Sequence, residues 1–322
     1  MKKVSIIIPI FNEELIVEEL ISRLQKATNG LSYHFEFYLV DDGSRDKTLE
    51  KLLYLQNREH RLKIIKLTRN WGHQNAFNAG LSHAGGDALI LMDGDLEDPP
   101  EMIPDLLKKW EEGFEVVYTV KKSRQLNWWN RSLFSFFYKL LSLFSEVDVQ
   151  EHSGMFSLID KKVSDHLIKC NEKNKFYVGL RAFMGYRQVG LPYNREPRFA
   201  GLPKQNFRRL VNYAIDAFFS FSFLPIRIIT YFGFILLLGI LIFSVLLILG
   251  RIFDPSIWFF EDLKELSGWT SIVLLLLFIM GTQIIFTGIL GEYIARIFDE
   301  VRQRPYFIVE KVYEVENPKL DS

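Results

Sequence analysis

The sequence predicts an α/β protein whose first part is a doubly wound, mostly parallel sheet and whose later part is a membrane hairpin. Three observations carry this reading. Short apolar runs alternate with segments of helical period from Met1 to about Val120, acidic clusters stand where three of those runs end, and two long stretches near the C-terminus carry no charge. Strand–helix alternation is the signature of parallel strands joined by crossover helices.

Taken in order, Val4–Ile10, Phe35–Val40, Leu62–Leu67, Ala88–Met92 and Glu115–Val120 are the expected strands. Between them, Glu14–Ala27, Lys47–Asn57, Gln74–Ala84 and Met102–Glu112 have the apolar spacing of helices packed by one face. Further on, Ile228–Gly250 and Trp269–Gly291 hold no Asp, Glu, Lys or Arg. Each would span about 34 Å as a helix, enough for a hydrocarbon core of roughly 30 Å. Basic residues flank the pair: Arg195, Arg198, Lys204, Arg208, Arg209 and Arg227 before it, and Arg296, Arg302, Arg304 and Lys311 after it. The connecting loop Arg251–Gly268 is acidic by comparison. The basic excess marks the cytoplasmic side, so both termini and the α/β domain are expected there, with the short loop outside. Leu126–Phe144 and Asn206–Leu224 mix aromatics with basic residues at near-helical spacing, as helices at a membrane surface do.

The expected organisation is therefore a cytoplasmic α/β domain at 1–205 and a juxtamembrane amphipathic helix at 206–227. Two transmembrane helices follow within 228–297 (about 228–250 and 269–291), and 298–322 forms a cytoplasmic tail. At roughly 150 residues per domain, 322 residues suit about two domains. Lys+Arg and Asp+Glu both number 39, so the net charge is zero, which argues against nucleic-acid binding through bulk charge. The single cysteine, Cys170, excludes an intramolecular disulfide and any multi-cysteine metal site.

Chemistry is expected at the carboxyl ends of the strands, where open α/β sheets bind ligands. The first strand runs into Asn12-Glu13-Glu14, the second into Asp41-Asp42-Gly43-Ser44, and the fourth into Asp93-Gly94-Asp95-Leu96-Glu97-Asp98. Clustered carboxylates repel one another unless a cation or hydrogen-bonding ligand satisfies them. Hard oxygen ligands select Mg²⁺ or Mn²⁺, and Mg²⁺ commonly completes its shell with substrate phosphates. The chain lacks a Gly-x-x-x-x-Gly-Lys phosphate loop and a Gly-x-Gly-x-x-Gly fingerprint, which argues against a nucleoside triphosphatase or a dehydrogenase. Ser44 and Asp46 read equally well as helix caps, and His73 and His152 as solvated or capping residues.

The run Ile6–Glu14, Asp41-Asp42-Gly43-Ser44, Arg69-Asn70-x-Gly72, Asp93-Gly94-Asp95-Leu96 and Asp98-Pro99-Pro100-Glu101 together resemble a family-two glycosyltransferase of GT-A fold. Arg198-x-x-Gly201-x-x-Lys204, Phe219–Ser222, Gly291-Glu292-Tyr293-Ile294 and Arg304-Pro305 extend the resemblance to the dolichol-phosphate mannosyltransferase-like, polyprenyl-phosphate branch. It implies an inverting hexose transfer from a nucleotide diphosphate sugar, with uridine favoured, to a polyprenyl phosphate such as undecaprenyl phosphate. The product would serve cell-envelope glycan modification, and the enzyme would sit in a bacterial-type inner membrane.

By the same resemblance, Pro9, Phe11, Glu13 and Asp42 contact the nucleoside. Asp93, Gly94 and Asp95 form the catalytic diphosphate and metal motif, with Asp95 the direct ligand and Asp93 and Glu97 beside it, the cation being Mg²⁺ or Mn²⁺. Lys121, Lys122 and Arg124 lie near the diphosphate, while Arg131, Arg198 and Lys204 meet the lipid phosphate or close over the donor. Gly281, Gly288 and Gly291 permit close helix packing, and a homo-oligomer is implied. Relatives often read Gly-Asp-Phe-Arg-Leu where this chain has Gly154-Met155-Phe156-Ser157-Leu158, so the candidate catalytic carboxylate is Met155 here. Asp148, Glu151 and Asp160 are the nearby replacements. A phosphate acceptor is already largely dianionic at neutral pH and needs little general-base help. Two rival readings are a processive polysaccharide synthase and a non-catalytic membrane partner. The first is opposed by the absence of an Arg-Trp dipeptide, and the second is supported only by Met155.

Overall fold

The computed structural model describes residues 1–121, 153–193 apart from 171, 173, 174 and 176, parts of 231–245, and 268–314. Chain order is β1 (Lys3–Ile10), α1 (Val17–Thr28), β2 (His34–Asp41), α2 (Thr48–Gln56), β3 (Leu62–Leu67), α3 (His73–His83), β4 (Ala88–Leu91), α4 (Ile103–Glu111) and β5 (Val116–Lys121). After these come β6 (Ser153–Asp160), α5 (Lys161–Lys169), α6 (Tyr177–Phe183), β7 (Gln188–Tyr193), α7 (Gly268–Val301) and β8 (Val309–Tyr313). All nine elements expected before Lys121 are present, with ends that differ by a few residues.

The strands form one sheet in the order β7-β5-β6-β4-β1-β2-β3-β8. Strands β4, β1, β2 and β3 are mutually parallel. β6 runs antiparallel between β4 and β5, and β7 pairs parallel with β5. β1 is buried along nearly its whole length because it pairs on both sides and is covered on both faces, which is why it reads as an unbroken apolar run. Val17, Leu20, Ile21 and Leu24 of α1 and Leu106, Leu107 and Trp110 of α4 pack on one face of the sheet with Ile6, Ile8, Phe37 and Ile90. Phe77 and Leu81 of α3, Leu167 of α5 and Leu180 of α6 cover the other face with Ile7, Val40, Leu91 and Tyr118.

The stretch 298–322, expected as a cytoplasmic tail, contributes β8, which pairs antiparallel with β3 at the sheet edge, Ile64 opposite Tyr313. The chain divides into two compact units, Met1–Phe218 with Arg304–Ser322, and Phe219–Gln303. In the second unit, α7 is one helix long and apolar enough to cross a membrane, over Phe278–Val301. The helix reaches past the expected limit at Gly291 because Glu292, Arg296, Asp299 and Glu300 interrupt the apolar pattern without breaking it. Most of the expected span 228–250 lies outside the described residues, and its described members within 231–245 are helical. The surface stretches 126–144 and 206–224 also lie outside the described residues.

A polar clasp ties α1 to the turn before β3. Glu59 accepts Arg61 Nη2 and Nε at 2.8 Å and Gln25 Nε2 at 2.7 Å. Partial burial opposes its charge, but these donors and the Arg61 guanidinium win, holding the carboxyl down at about 2 against its ordinary 4.5. A depressed carboxylate adds stability above the unfolded pKa and loses it as pH falls through the folded one. Glu59→Gln is therefore expected to lower stability at pH 7 by about 1–2 kcal/mol, discounted because Arg61 is partly exposed. The deficit should shrink between pH 4.5 and 2 in urea unfolding; a deficit constant over that range would remove the charge from the explanation.

Candidate active site

β1 lies between β2 and β4, so consecutive elements leave its two sides in opposite directions, and the crevice at its carboxyl end is the switch point of the sheet. Pairing of β1 with β4 stops at Ile7–Leu91, two residues before Pro9, which has no N–H to continue a ladder. The Asp93-Gly94-Asp95 turn folds back onto this end. A Cβ on Gly94 would stand 2.6 Å from Ile10 Cδ1 and 3.0 Å from the Pro9 carbonyl, so only glycine lets the turn sit so close.

The loops after β1 and β2 are laced together by short side chains. Asn12 N–H donates to Ser44 Oγ at 3.0 Å, Glu13 N–H to Thr48 Oγ1 at 2.9 Å and Glu14 N–H to Asp46 Oδ2 at 3.3 Å. Arg45 N–H donates to Asn12 Oδ1 at 2.8 Å, and Lys47 N–H to Glu14 Oε2 at 3.0 Å. Ser44 caps no helix and instead holds Asn12, whereas Asp46 accepts Thr48 N–H at 3.0 Å at the start of α2 with one oxygen and holds Glu14 N–H with the other. Gly43 has φ +70°, and a Cβ there would fall 2.5 Å from the Arg69 carbonyl carbon, so the loop before α3 rests directly on this turn.

Asp42 is buried and gives both oxygens to that loop, accepting Trp71 N–H at 2.7 Å and Gly72 N–H at 3.0 Å. Desolvation outweighs those bonds and raises its carboxyl to about 6, with Asp41 adding repulsion. The loop so held delivers His73, whose Nε2 meets Asp93 Oδ1 at 2.9 Å. Desolvation works against the imidazolium, but attraction to Asp93, then Asp95 and Asp42, wins and raises its pKa. His73, expected to be solvated or to cap α3, opens α3 with its side chain half exposed, and it is also the ion-pair partner of Asp93. Its place directly after Gly72 in the Arg69-Asn70-x-Gly72 run was the available signal.

Asp98, 2% exposed, is a further member. Tyr193 at the end of β7 donates its hydroxyl to Asp98 Oδ1. Burial first, then repulsion from Asp93, pushes the Asp98 carboxyl up to about 6, with Lys121 opposing and Asp95 adding to the shift. Lys121 ends β5 opposite Tyr193. Asp42, Asp93, Asp95, Asp98, His73 and Lys121 therefore share one electrostatic neighbourhood. Lys122, Arg124, Arg131, Asp148, Glu151, His152, Arg198 and Lys204 lie outside the described residues.

Met155 stands on β6, two residues beyond the Leu91–Ser157 pair, at the edge where Asp93 emerges. Asp160 is ruled out as its substitute. It pairs with Ala88 at the opposite edge of the sheet, caps α5 through Lys162 N–H at 3.0 Å and accepts Trp110 Nε1 at 2.9 Å.

Asp93, Asp95 and Glu97 do not make a ready three-ligand metal cage among the described residues. The fit to a divalent ion rests instead on surplus negative charge: Asp93 and Asp95 both push up the Asp98 pKa, with His73 and Lys121 as the partial compensation. One or two carboxylates suffice where phosphates complete the shell.

A doubly wound sheet with an Asp-x-Asp turn at its switch point defines a GT-A glycosyltransferase. The glycosyl transferase family 2 model matches residues 5–168. Over 321 residues the chain is 38% identical to the uncharacterized glycosyltransferase sll0501 of Synechocystis, covering 99% of this chain and 98% of that one. It is 36% identical to the uncharacterized glycosyltransferase YkcC of Bacillus subtilis, covering 98% and 96%. Glucosyl-3-phosphoglycerate synthase from Mycobacterium tuberculosis, in complex with phosphoglyceric acid, shares the fold at TM-score 0.50 and 16% identity, over 68% of this chain and 79% of that one. This chain belongs to glycosyl transferase family 2.

Proposed function

We propose that the protein transfers a hexose from a nucleotide diphosphate sugar, by preference a uridine one, to the phosphate of a polyprenyl lipid at the cytoplasmic membrane face. The observation that carries the donor half is the Asp93–Asp95 turn held on the end of β1, beside the Asn12–Ser44 lacing of the loops after β1 and β2. The acceptor half is supported by a helix with exposed apolar side chains, such as Ile284, Ile294 and Phe298, in the same chain.

A phosphate oxygen attacks the anomeric carbon as the bond to the nucleoside diphosphate breaks, inverting the configuration. Pro9, Phe11 and Glu13 border the nucleoside, while Asp42 acts one step back by shaping the loop that brings His73 to Asp93. A bound Mg²⁺ or Mn²⁺, held by Asp95 with Asp93 and Glu97 beside it, supplies positive charge to the departing diphosphate. Lys121 adds charge at the same edge, and Arg124, Arg131, Arg198 and Lys204 are the proposed contacts to the two phosphate groups. Met155 is compatible with this reaction because the acceptor brings its own deprotonated oxygen.

Labelled UDP- and GDP-sugars, incubated with undecaprenyl phosphate and either Mg²⁺, Mn²⁺ or EDTA, test the reading. A glycolipid formed only with metal is the expected result. A folded, membrane-borne protein that transfers from no donor would overturn it.

A further inference from the structure

Arg181, on α6, is 2% exposed. Its Nη2 donates to Ser153 Oγ at 2.9 Å and to the Gly154 carbonyl at 3.0 Å. The guanidinium carbon lies 5.4 Å from the centre of the Tyr118 ring. Nε and Nη1 have no hydrogen-bond partner, and among the described residues no carboxylate pairs with this cation. Burial lowers its pKa to about 10, which still leaves it charged at neutral pH. An uncompensated buried charge costs several kcal/mol, and interiors retain one chiefly where an anion meets it.

The place of this charge indicates which anion. Val120 pairs with Ser153, so the start of β6 lies at the carboxyl edge of β5, and a Cβ on Gly154 would be 3.7 Å from Lys121 Cε. Ser153, which Arg181 holds, and Met155 both lie in the stretch of β6 where its register against β5 shifts between Tyr118 and Val120. Met155 packs in the cluster that contains Tyr118 and Leu180. Position 155 is where the resembled pattern has a carboxylate. A carboxylate there would neutralise Arg181 from within, whereas methionine leaves the cation for a ligand.

We infer that Arg181 and the Ser153 hydroxyl form a subsite for a phosphate monoester, and that Met155 keeps it open. The inference rests on the proposed reaction and adds Arg181 to the cations proposed to meet the acceptor's phosphate. The shared chemistry of a lipid phosphate and free phosphate is the dianion, so both are used as probes.

The test is thermal unfolding of the full-length protein in detergent. Inorganic phosphate and a short-chain polyprenyl phosphate are titrated without metal, and UDP with Mn²⁺ is titrated separately. The wild type should gain Tm saturably with the lipid phosphate. Arg181→Met should lose that gain yet melt no lower than the wild type without ligand, since it removes an unpaired buried charge. Met155→Asp should melt higher without ligand and need at least tenfold more phosphate for the same gain, while both variants keep the UDP response. An Arg181→Met protein that still responds to phosphate overturns the subsite, as does one that melts lower and loses the UDP response too. So does a Met155→Asp protein with unchanged phosphate response. A gain with inorganic phosphate and none with the lipid overturns the assignment to the acceptor. A wild type that responds to phosphate but not to UDP leaves the subsite standing and removes the transferase reading instead.

Discussion

Asp95→Ala is expected to lower kcat for metal-dependent transfer by about 10²–10³-fold, the scale seen when one preorganised electrostatic stabiliser is removed. The fold should be untouched. Asp95 is half-buried on a turn, and the hydrogen bond it accepts from Glu97 N–H is long, at 3.2 Å. Thermal unfolding should therefore match the wild type while turnover collapses, and raising Mn²⁺ should recover only a small part of it. Wild-type turnover in this variant would remove Asp95 from the reaction.

Asp42→Ala should have the largest effect on stability, about 2–4 kcal/mol, because it strands the Trp71 and Gly72 N–H groups that the carboxylate satisfies. Activity should fall with it, since the loop so released carries His73, which holds Asp93. Asp42→Asn separates the two effects of this carboxylate. It keeps one acceptor oxygen and removes a group that is costly to ionise when buried. With the folded pKa raised to about 6 from 3.8, the native state binds the extra proton, so wild-type stability falls as pH rises across that window. Urea unfolding of Asp42→Asn should show a flatter dependence there. An equal slope in both proteins would assign the dependence to other carboxylates.

The early strands were legible because burial on both faces writes them as continuous apolar runs, as in Ile6-Ile7-Ile8. β7 was not: Gln188-Val-Gly-Leu-Pro-Tyr193 is half-buried over most of its length and contains Gly190 and Pro192. β8 escaped for a related reason. Edge strands are short and charged, and Glu310 and Lys311 disguise it as a tail. Within the site, the acidic strand ends were readable one by one, but their partners were not. His73 meets Asp93, and Tyr193 meets Asp98, across distances that only the sheet brings together. Arg181 looks in sequence like any basic residue on a short helix. Its burial is a product of packing against β5 and β6, which no local pattern encodes.

β8 also imposes an order on biosynthesis. Lys66 and Glu310, paired across β3 and β8, are 244 residues apart, and Gln56 waits still longer for the Tyr313 carbonyl. During translation the β3 edge emerges early and stays unpaired until after the long apolar helix has left the ribosome. A chain that stalls or is cleaved before Val309 keeps an open strand edge, a template for pairing with other chains. An excised α/β fragment should therefore resist edge-to-edge association only if the segment Val309–Tyr313 is retained with it.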